Sequence, residues 1–347
     1  MIRTGVLITA FGGPGDLDEI APFMCSLLGC EPSQRSLDEA RRRYLTIGGS
    51  SPLPPMAERI AVQLERELSG LPRAVESEDD SVGFFGVPKT LPRATDGVTI
   101  PVAVGMLHSE PSIASAVDAL VASGVRRIVS LSLSPFEAAA TTGAYRAAVE
   151  LAAKGREGVS IIDAADYRRS EAFLTALAES LIAVLLDDEM RPHRVLVAFT
   201  AHSLPVSDIE KDPSYVEQLK ETAGEVAARA GLGSADGFDS APGIDAFGGR
   251  GGSAPWLLAF QSKGRRGGDW IGPDLDDVID AAVANDFGAV VVAPIGFAVD
   301  HMETLYDLDV SAADRALSTG IEFARAKAPN DSEDMIQALA EAVRAVA

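Results

Sequence analysis

Short continuous apolar runs, rich in β-branched residues and each followed by an amphipathic segment, constrain the fold of this chain more than any other feature. Val6–Ala10, Thr99–Gly105, Arg127–Leu133 and Val159–Asp163 form one series. Val195–Ala201, Leu257–Gln261, Ala289–Ala293 and the short segment Ile321–Ala326 form a second. A strand that is apolar without alternation is covered on both faces, and strands alternating with helices build parallel sheets. The reading is α/β: two Rossmann-like domains, each a parallel sheet flanked by helices, with the active-site cleft between them. Domain boundaries are expected at 1–165 and 166–330, with a terminal helix over about 331–347 packing back on the first domain.

Between the runs, apolar spacing predicts helices over Asp16–Leu28, Pro55–Leu68, up to Ser123, Thr142–Lys154, Glu171–Leu186, Pro213–Ala230, up to Asn285 behind the cap Asp269–Asp274, and Glu333–Val346. Ser36-Leu-Asp-Glu39 reads as a capping box opening a further helix through Tyr44. Residues 70–97 lack periodicity and read as an irregular connection, and the Gly-rich stretch 233–255 reads as a mobile surface loop. The turn Phe11-Gly-Gly-Pro-Gly15 brings backbone close to a ligand, but its glycines lack the spacing of a dinucleotide fingerprint.

Charge narrows the partners. With 51 acidic against 30 basic residues, the net charge of −21 argues against nucleic acid, whose phosphates need clustered Lys and Arg. No apolar run is long enough for a membrane span, which leaves room only for peripheral membrane contact. The first residues lead straight into a strand without a secretory pattern. Cys25 and Cys30 are too few for a four-ligand zinc or iron–sulfur site, and they read as reduced, partly buried thiols of a cytoplasmic protein.

Chemistry concentrates past the strand Ala289–Ala293. Asp300, His301, Glu303, Asp307 and Asp309 follow within a few positions, at the strand end where open α/β sheets bind ligands. At α-helical spacing Asp300, Glu303 and Asp307 share one face, which is either a solvated acidic helix start or a site for a cation. His108 and His202 each sit in a loop just past a strand, one per series, whereas His193 reads as a solvated surface group. Imidazole and carboxylate facing one cavity can bind a divalent metal or move protons near neutral pH. Phe11, His108, His202, Trp270 and Glu303, all near strand-to-helix junctions, are expected to line the cleft.

Phe199-Thr-Ala-His-Ser-Leu-Pro205 and Ile295-Gly-Phe-Ala-Val-Asp-His-Met-Glu-Thr-Leu-Tyr-Asp307 resemble the signature segments of the ferrochelatase family. Supporting matches run along the chain in order: Phe11-Gly-Gly-Pro14, Arg43-Tyr-Leu-Thr-Ile-Gly-Gly-Ser-Ser-Pro-Leu53, Gly105-Met-Leu-His-Ser-Glu-Pro111, Thr141-Thr-Gly143, Gln261-Ser262 and Trp270-Ile-Gly-Pro273. The resemblance implies a chelatase-type pair of domains and a lyase-type enzyme of haem biosynthesis that inserts Fe²⁺ into a porphyrin, coproporphyrin III or protoporphyrin IX. It implies His202 and Glu303 as the catalytic pair, and His202, Glu303 and Asp307 as metal-handling groups. Phe11, Arg43, Tyr44, Ser51, His108 and Trp270 are the substrate-binding candidates. Family members often make the acidic segment a π-helix, which would move Asp307 off the α-helical face. Leu28, Ala140 and Phe11 depart from the polar groups that coproporphyrin-using members place there, so the number of ring propionates stays open. The clustered cysteines of [2Fe–2S] relatives are missing, so Fe²⁺ is expected as substrate with no cluster, in a monomer. A chelatase for another tetrapyrrole or metal, or a non-catalytic haem- or metal-binding relative, is the alternative.

Overall fold

The apolar runs are strands, and the central ones are buried on both faces. The computed structural model describes residues 3–71, 100–233, 254–264 and 267–347. The connection expected over 70–97 and the loop expected over 233–255 therefore lie almost wholly outside the described residues. By contacts the chain divides into two units, Met1–Ser170 with Asn330–Ala347, and Glu171–Pro329.

The first unit runs β1 (Thr4–Ala10), α1 (Ile20–Leu28), α2 (Gln34–Thr46), α3 (Leu53–Leu68), β2 (Val102–Met106), α4 (Ile113–Ala122), β3 (Arg127–Ser132), α5 (Ala144–Ala153) and β4 (Ser160–Asp163). Its four strands are parallel in the order β2-β1-β3-β4. Val6, Leu7 and Ile8 of β1 are fully buried at the sheet centre, each worth about 1.5–3 kcal/mol of burial for a side chain of this size. A Cβ at Gly105 would come within 2.7 Å of Ile113 Cα, so only glycine lets α4 fold back this tightly on β2.

Two helix starts differ from the sequence expectation, and local hydrogen bonds explain both. Asp16 Oδ1 accepts the amide protons of Asp18 and Glu19 at 2.8 and 3.0 Å, which ties Asp16–Glu19 into a turn and delays α1 to Ile20. The cap of α2 is Ser33, whose Oγ accepts the Ser36 amide at 3.2 Å, so the helix begins before the expected box. Glu39, expected to reach back as the box partner, instead takes Arg43 one turn on at 3.4 Å.

The second unit repeats the pattern with α6 (Glu171–Leu185), β5 (Val195–His202), α7 (Val206–Ile209), α8 (Ser214–Arg229), β6 (Trp256–Gln261), α9 (Leu275–Ala284), β7 (Ala289–Ala293), α10 (Met302–Leu305), α11 (Ala313–Thr319) and β8 (Glu322–Arg325). The order β6-β5-β7-β8 is again fully parallel. Asp274 and Asp277 form the capping box of α9. The last helix, α12 (Glu333–Arg344), belongs to the first unit, where it packs on α3. There Arg59 Nε donates to Asp331 Oδ2 at 2.8 Å, and Arg344 Nη2 donates to Glu67 Oε1 at 2.9 Å. Among the described residues no helix is long and apolar enough to cross a membrane.

Candidate functional site

The carboxyl ends of β5, β6 and β7 bring the strongest candidates of the second unit together. His202 is the last residue of β5, so the loop placement expected for it is corrected: its backbone lies in the sheet, opposite Gln261 of β6. A strand-borne imidazole is aimed more rigidly than a loop-borne one. Its own carbonyl accepts from the buried Tyr215 hydroxyl of α8 at 2.9 Å, which fixes the strand end from behind. Burial raises the Tyr215 pKa, so that hydroxyl stays a donor.

The loop after β7 carries the partner across. Gly296 makes this route open, because a Cβ there would lie 2.5 Å from Ala201 Cβ and 2.6 Å from its Cα. His301 then caps α10: its Nδ1 accepts the Thr304 amide at 3.3 Å while its own amide donates to Thr304 Oγ1 at 2.9 Å. That bond leaves the ring proton of neutral His301 on Nε2, 3.8 Å from Glu303 Oε2. Glu303, in the first turn of α10, places Oε1 3.5 Å from His202 Nε2. His202 Nδ1 lies 2.5 Å from the Ser203 carbonyl, which can only accept, so Nδ1 bears a proton. Burial alone would depress the His202 pKa; the Glu303 carboxylate, the Ser203 carbonyl and Asp307 overcome it and push it up to about 9. The carboxylate side of the pair thus favours the protonated form of His202 at rest.

Asp307 opens a π-helical turn, Asp307–Ala312, so one α-helical face does not describe the acidic segment. Its Oδ2 accepts from Ser262 Oγ at 2.5 Å, and Gln261 Nε2 donates to the Glu303 carbonyl at 3.0 Å. The end of β6 therefore touches both halves of the segment. Asp300, expected beside Glu303 and Asp307, precedes α10 and pairs with Arg325 at 2.9 Å; Asp309 pairs with the same guanidinium at 2.6 Å. A buried cation on the neighbouring strand draws these two carboxylates away. Among the described residues no three His, Cys, Asp or Glu side chains gather as a metal cage. His202 and Glu303 are a pair rather than a cage, suited to brief contact with a cation.

Beside Asp307 lies a cavity of about 630 Å³, lined by Gln261, Ser262, Trp270, Asp274 and Asp307 among others. Trp270 bridges to Pro205 and packs its ring over Gly264, where a Cβ would sit 2.7 Å from the indole. Gln261 Oε1 is buried without a hydrogen-bond partner among the described residues. Sequence reasoning singled out Gln261 and Ser262 only as motif matches, and did not place His301, Tyr215 or Arg325 in the site. The density of His, Glu and Asp around 301 was the available signal for His301; the others had none.

The remaining candidates belong to the first unit. Phe11 meets the His108 ring edge-on with centroids 4.7 Å apart, and Phe23 flanks both at 6.4 and 6.5 Å. Ser26 Oγ lies 3.0 Å from His108 Nδ1, and burial lowers the His108 pKa, which favours neutral imidazole. This aromatic group offers flat, partly exposed apolar surface. Tyr44 is 4% and Ser51 2% exposed, and Ser51 packs against Gly13, so of the polar substrate-binding candidates Arg43, Tyr44 and Ser51 only Arg43 reaches solvent. Leu28 is exposed, as is Ala140 on the π-helical turn before α5. His193 is half-buried against Gly288 rather than solvated, and of the two free thiols Cys30 is exposed rather than partly buried.

Residues 87–347 match the family model described as Ferrochelatase. The ferrochelatase of Thermus thermophilus is 30% identical over 342 residues, covering 98% of each chain. The coproporphyrin III ferrochelatase of Halalkalibacterium halodurans is 26% identical over 344 residues, covering 99% of this chain and 96% of that one. The solved structure of SirB from Bacillus subtilis with Fe³⁺ superposes with a TM-score of 0.51 at 11% identity, covering 99% of this chain and 95% of that one, a likeness of fold.

Proposed function

Since this chain belongs to the ferrochelatase family, we propose that it inserts Fe²⁺ into a porphyrin for haem synthesis, with His202 and Glu303 handling the pyrrole protons and the metal. The observation that carries the residue assignment is the 3.5 Å approach of His202 Nε2 to Glu303 Oε1 at the carboxyl end of β5. Metallation removes two protons from pyrrole nitrogens while a hydrated dication sheds water. Both needs meet in this pair.

The proton that His202 holds at rest must leave before the ring can act as a base. A dication arriving at Glu303 cancels the charge that keeps that proton on, so His202 is released to neutral imidazole as the metal comes in. The freed Nε2 then accepts a pyrrole proton, and Glu303 hands the ion forward as its waters are replaced by ring nitrogens. Asp307, held by Ser262 on the cavity wall, is an acceptor for the waters of an entering ion. Phe11, His108 and Trp270 supply apolar and aromatic surface for the macrocycle, and Arg43 supplies a cation for a propionate. The free thiols Cys25 and Cys30 support a reducing, cytoplasmic setting, and we read the enzyme as a monomer that uses iron as substrate without a cluster.

An anaerobic spectrophotometric assay offering Fe²⁺ with coproporphyrin III and with protoporphyrin IX, separately, tests this reading. Appearance of the haem spectrum with either supports it and identifies the ring. No metallation of either by the folded protein overturns it.

A further inference from the structure

The segment bearing Glu303 and Asp307 is gripped from a second side, away from His202. We propose that Arg325 is a positioning residue for iron delivery: from the end of β8 it clamps Asp300 and Asp309 and so sets where Glu303 and Asp307, which lie between them, stand. This rests on the reading of Glu303 and Asp307 given above.

Arg325 Nη1 donates to Asp300 Oδ1 at 2.9 Å, while Nε and Nη2 donate to the two oxygens of Asp309 at 2.6 and 2.8 Å. The Arg325 side chain is 10% exposed and Asp300 15%, so water screens that arm little, whereas Asp309, 37% exposed, is held by a two-bond fork nearer solvent. A fork of this kind fixes angle as well as distance, which a point charge does not. Its base is rigid too. Arg325 stands opposite Val292 of β7, and β7 pairs with β5, so clamp and His202 ride on one sheet.

The segment needs such a hold. It carries Asp300, Glu303, Asp307 and Asp309 in close succession, and mutual repulsion pushes it outward. Its regular structure is a four-residue helix followed by a six-residue π-helical turn, and neither persists on intrinsic propensity. Pairing the outer two carboxylates with Arg325 leaves the inner two turned to the ends of β5 and β6. Arg325 acts through the backbone that joins Asp300 and Asp309 to the two inner carboxylates.

Hydrogen–deuterium exchange and steady-state kinetics on the full chain test the proposal, using Arg325→Met, Arg325→Lys and, as a core control in the same unit, Ile279→Val. Arg325→Met is expected to speed amide exchange over 300–312 and to lower kcat/KM for Fe²⁺ by on the order of tenfold to a hundredfold, the cost of a misplaced reacting group. The Kd for coproporphyrin III, read by fluorescence quenching without metal, should stay within about twofold, since no ring-binding group is displaced. Arg325→Lys should restore only part of both losses, because one ammonium cannot fork across two carboxylates. If Arg325→Met does not fold, Asp309→Asn, which removes one side of the fork, takes its place with the same expected pattern. Exchange over 300–312 and iron kcat/KM changed no more than in Ile279→Val would overturn the clamp, as would a parallel loss of porphyrin affinity. A wild-type protein that metallates neither porphyrin overturns the functional reading instead.

Discussion

Ser262 Oγ donates to Asp307 Oδ2 at 2.5 Å, joining the end of strand β6 to the start of the π-helical turn. Ser262 does this from a left-handed backbone conformation, φ 59°, which a non-glycine residue adopts at a cost of about 1–2 kcal/mol. The neighbouring Gln261 simultaneously holds the Glu303 carbonyl. The site is thus braced by the sheet on the side facing the cavity.

Ser262→Ala should therefore raise the KM for Fe²⁺ several-fold while kcat at saturating iron changes little. The lost hydrogen bond frees the Asp307 carboxylate, to which the proposed mechanism gives the incoming ion rather than the reacting ring. Steady-state kinetics under anaerobic conditions check this. An unchanged iron KM would remove Asp307 from the entry route.

Glu303→Gln should lower kcat by on the order of a hundredfold or more, because the amide neither attracts the dication nor returns protons. Stability should fall at neutral pH, where Glu303 holds the His202 proton on, and change little above about pH 9, where that proton is gone in the wild type too. Near-normal kcat with saturating porphyrin and iron would return α10 to the solvated-surface reading.

The His202–Glu303 pair makes stability depend on pH in one direction. Burial favours neutral imidazole, yet Glu303 and its neighbours raise the His202 pKa to about 9 from 6.5. A group with a raised folded pKa contributes stability that is complete below the unfolded value and is lost as pH rises through the folded one. Wild-type protein should lose stability relative to His202→Asn between about pH 6.5 and 9. The same pH-dependent difference should vanish in the Glu303→Gln background. Urea titrations at several pH values decide it, and a constant difference from pH 6 to 10 would count against the charged pair.

Phe11→Ala should weaken porphyrin binding about tenfold and leave the KM for Fe²⁺ near normal, because the Phe11 ring packs with the rings of Phe23 and His108 as apolar surface. Fluorescence titration of the metal-free complex measures the first and initial rates the second. An iron KM that rises as far as the porphyrin Kd would place Phe11 in a structural role.

Gly296→Ala should destabilise the second unit by about 1–3 kcal/mol, since the added methyl meets Ala201 backbone rather than a flexible side-chain end. Activity should fall with it, because the same loop delivers Glu303. Calorimetry that shows no change in Tm would mean the loop shifts freely.

The strands were legible in the sequence because burial on both faces leaves a mark within a few residues. Val195–Ala201 and Ala289–Ala293 read as continuous apolar runs, and both are central strands of a four-stranded parallel sheet. Their carboxyl ends pointed to His202 and to the acidic segment for the same local reason. Tertiary structure alone decided how the acids divide. Asp300 and Asp309 turn to Arg325, 25 and 16 positions away, because β8 lies beside β7; Glu303 and Asp307 turn to groups on β5 and β6. Helical spacing treats these carboxylates alike, whereas an ion pair depends on which strand becomes the neighbour. The strand-borne position of His202 follows the same rule: it is set by pairing with Gln261 across the sheet, which no run of adjacent residues records.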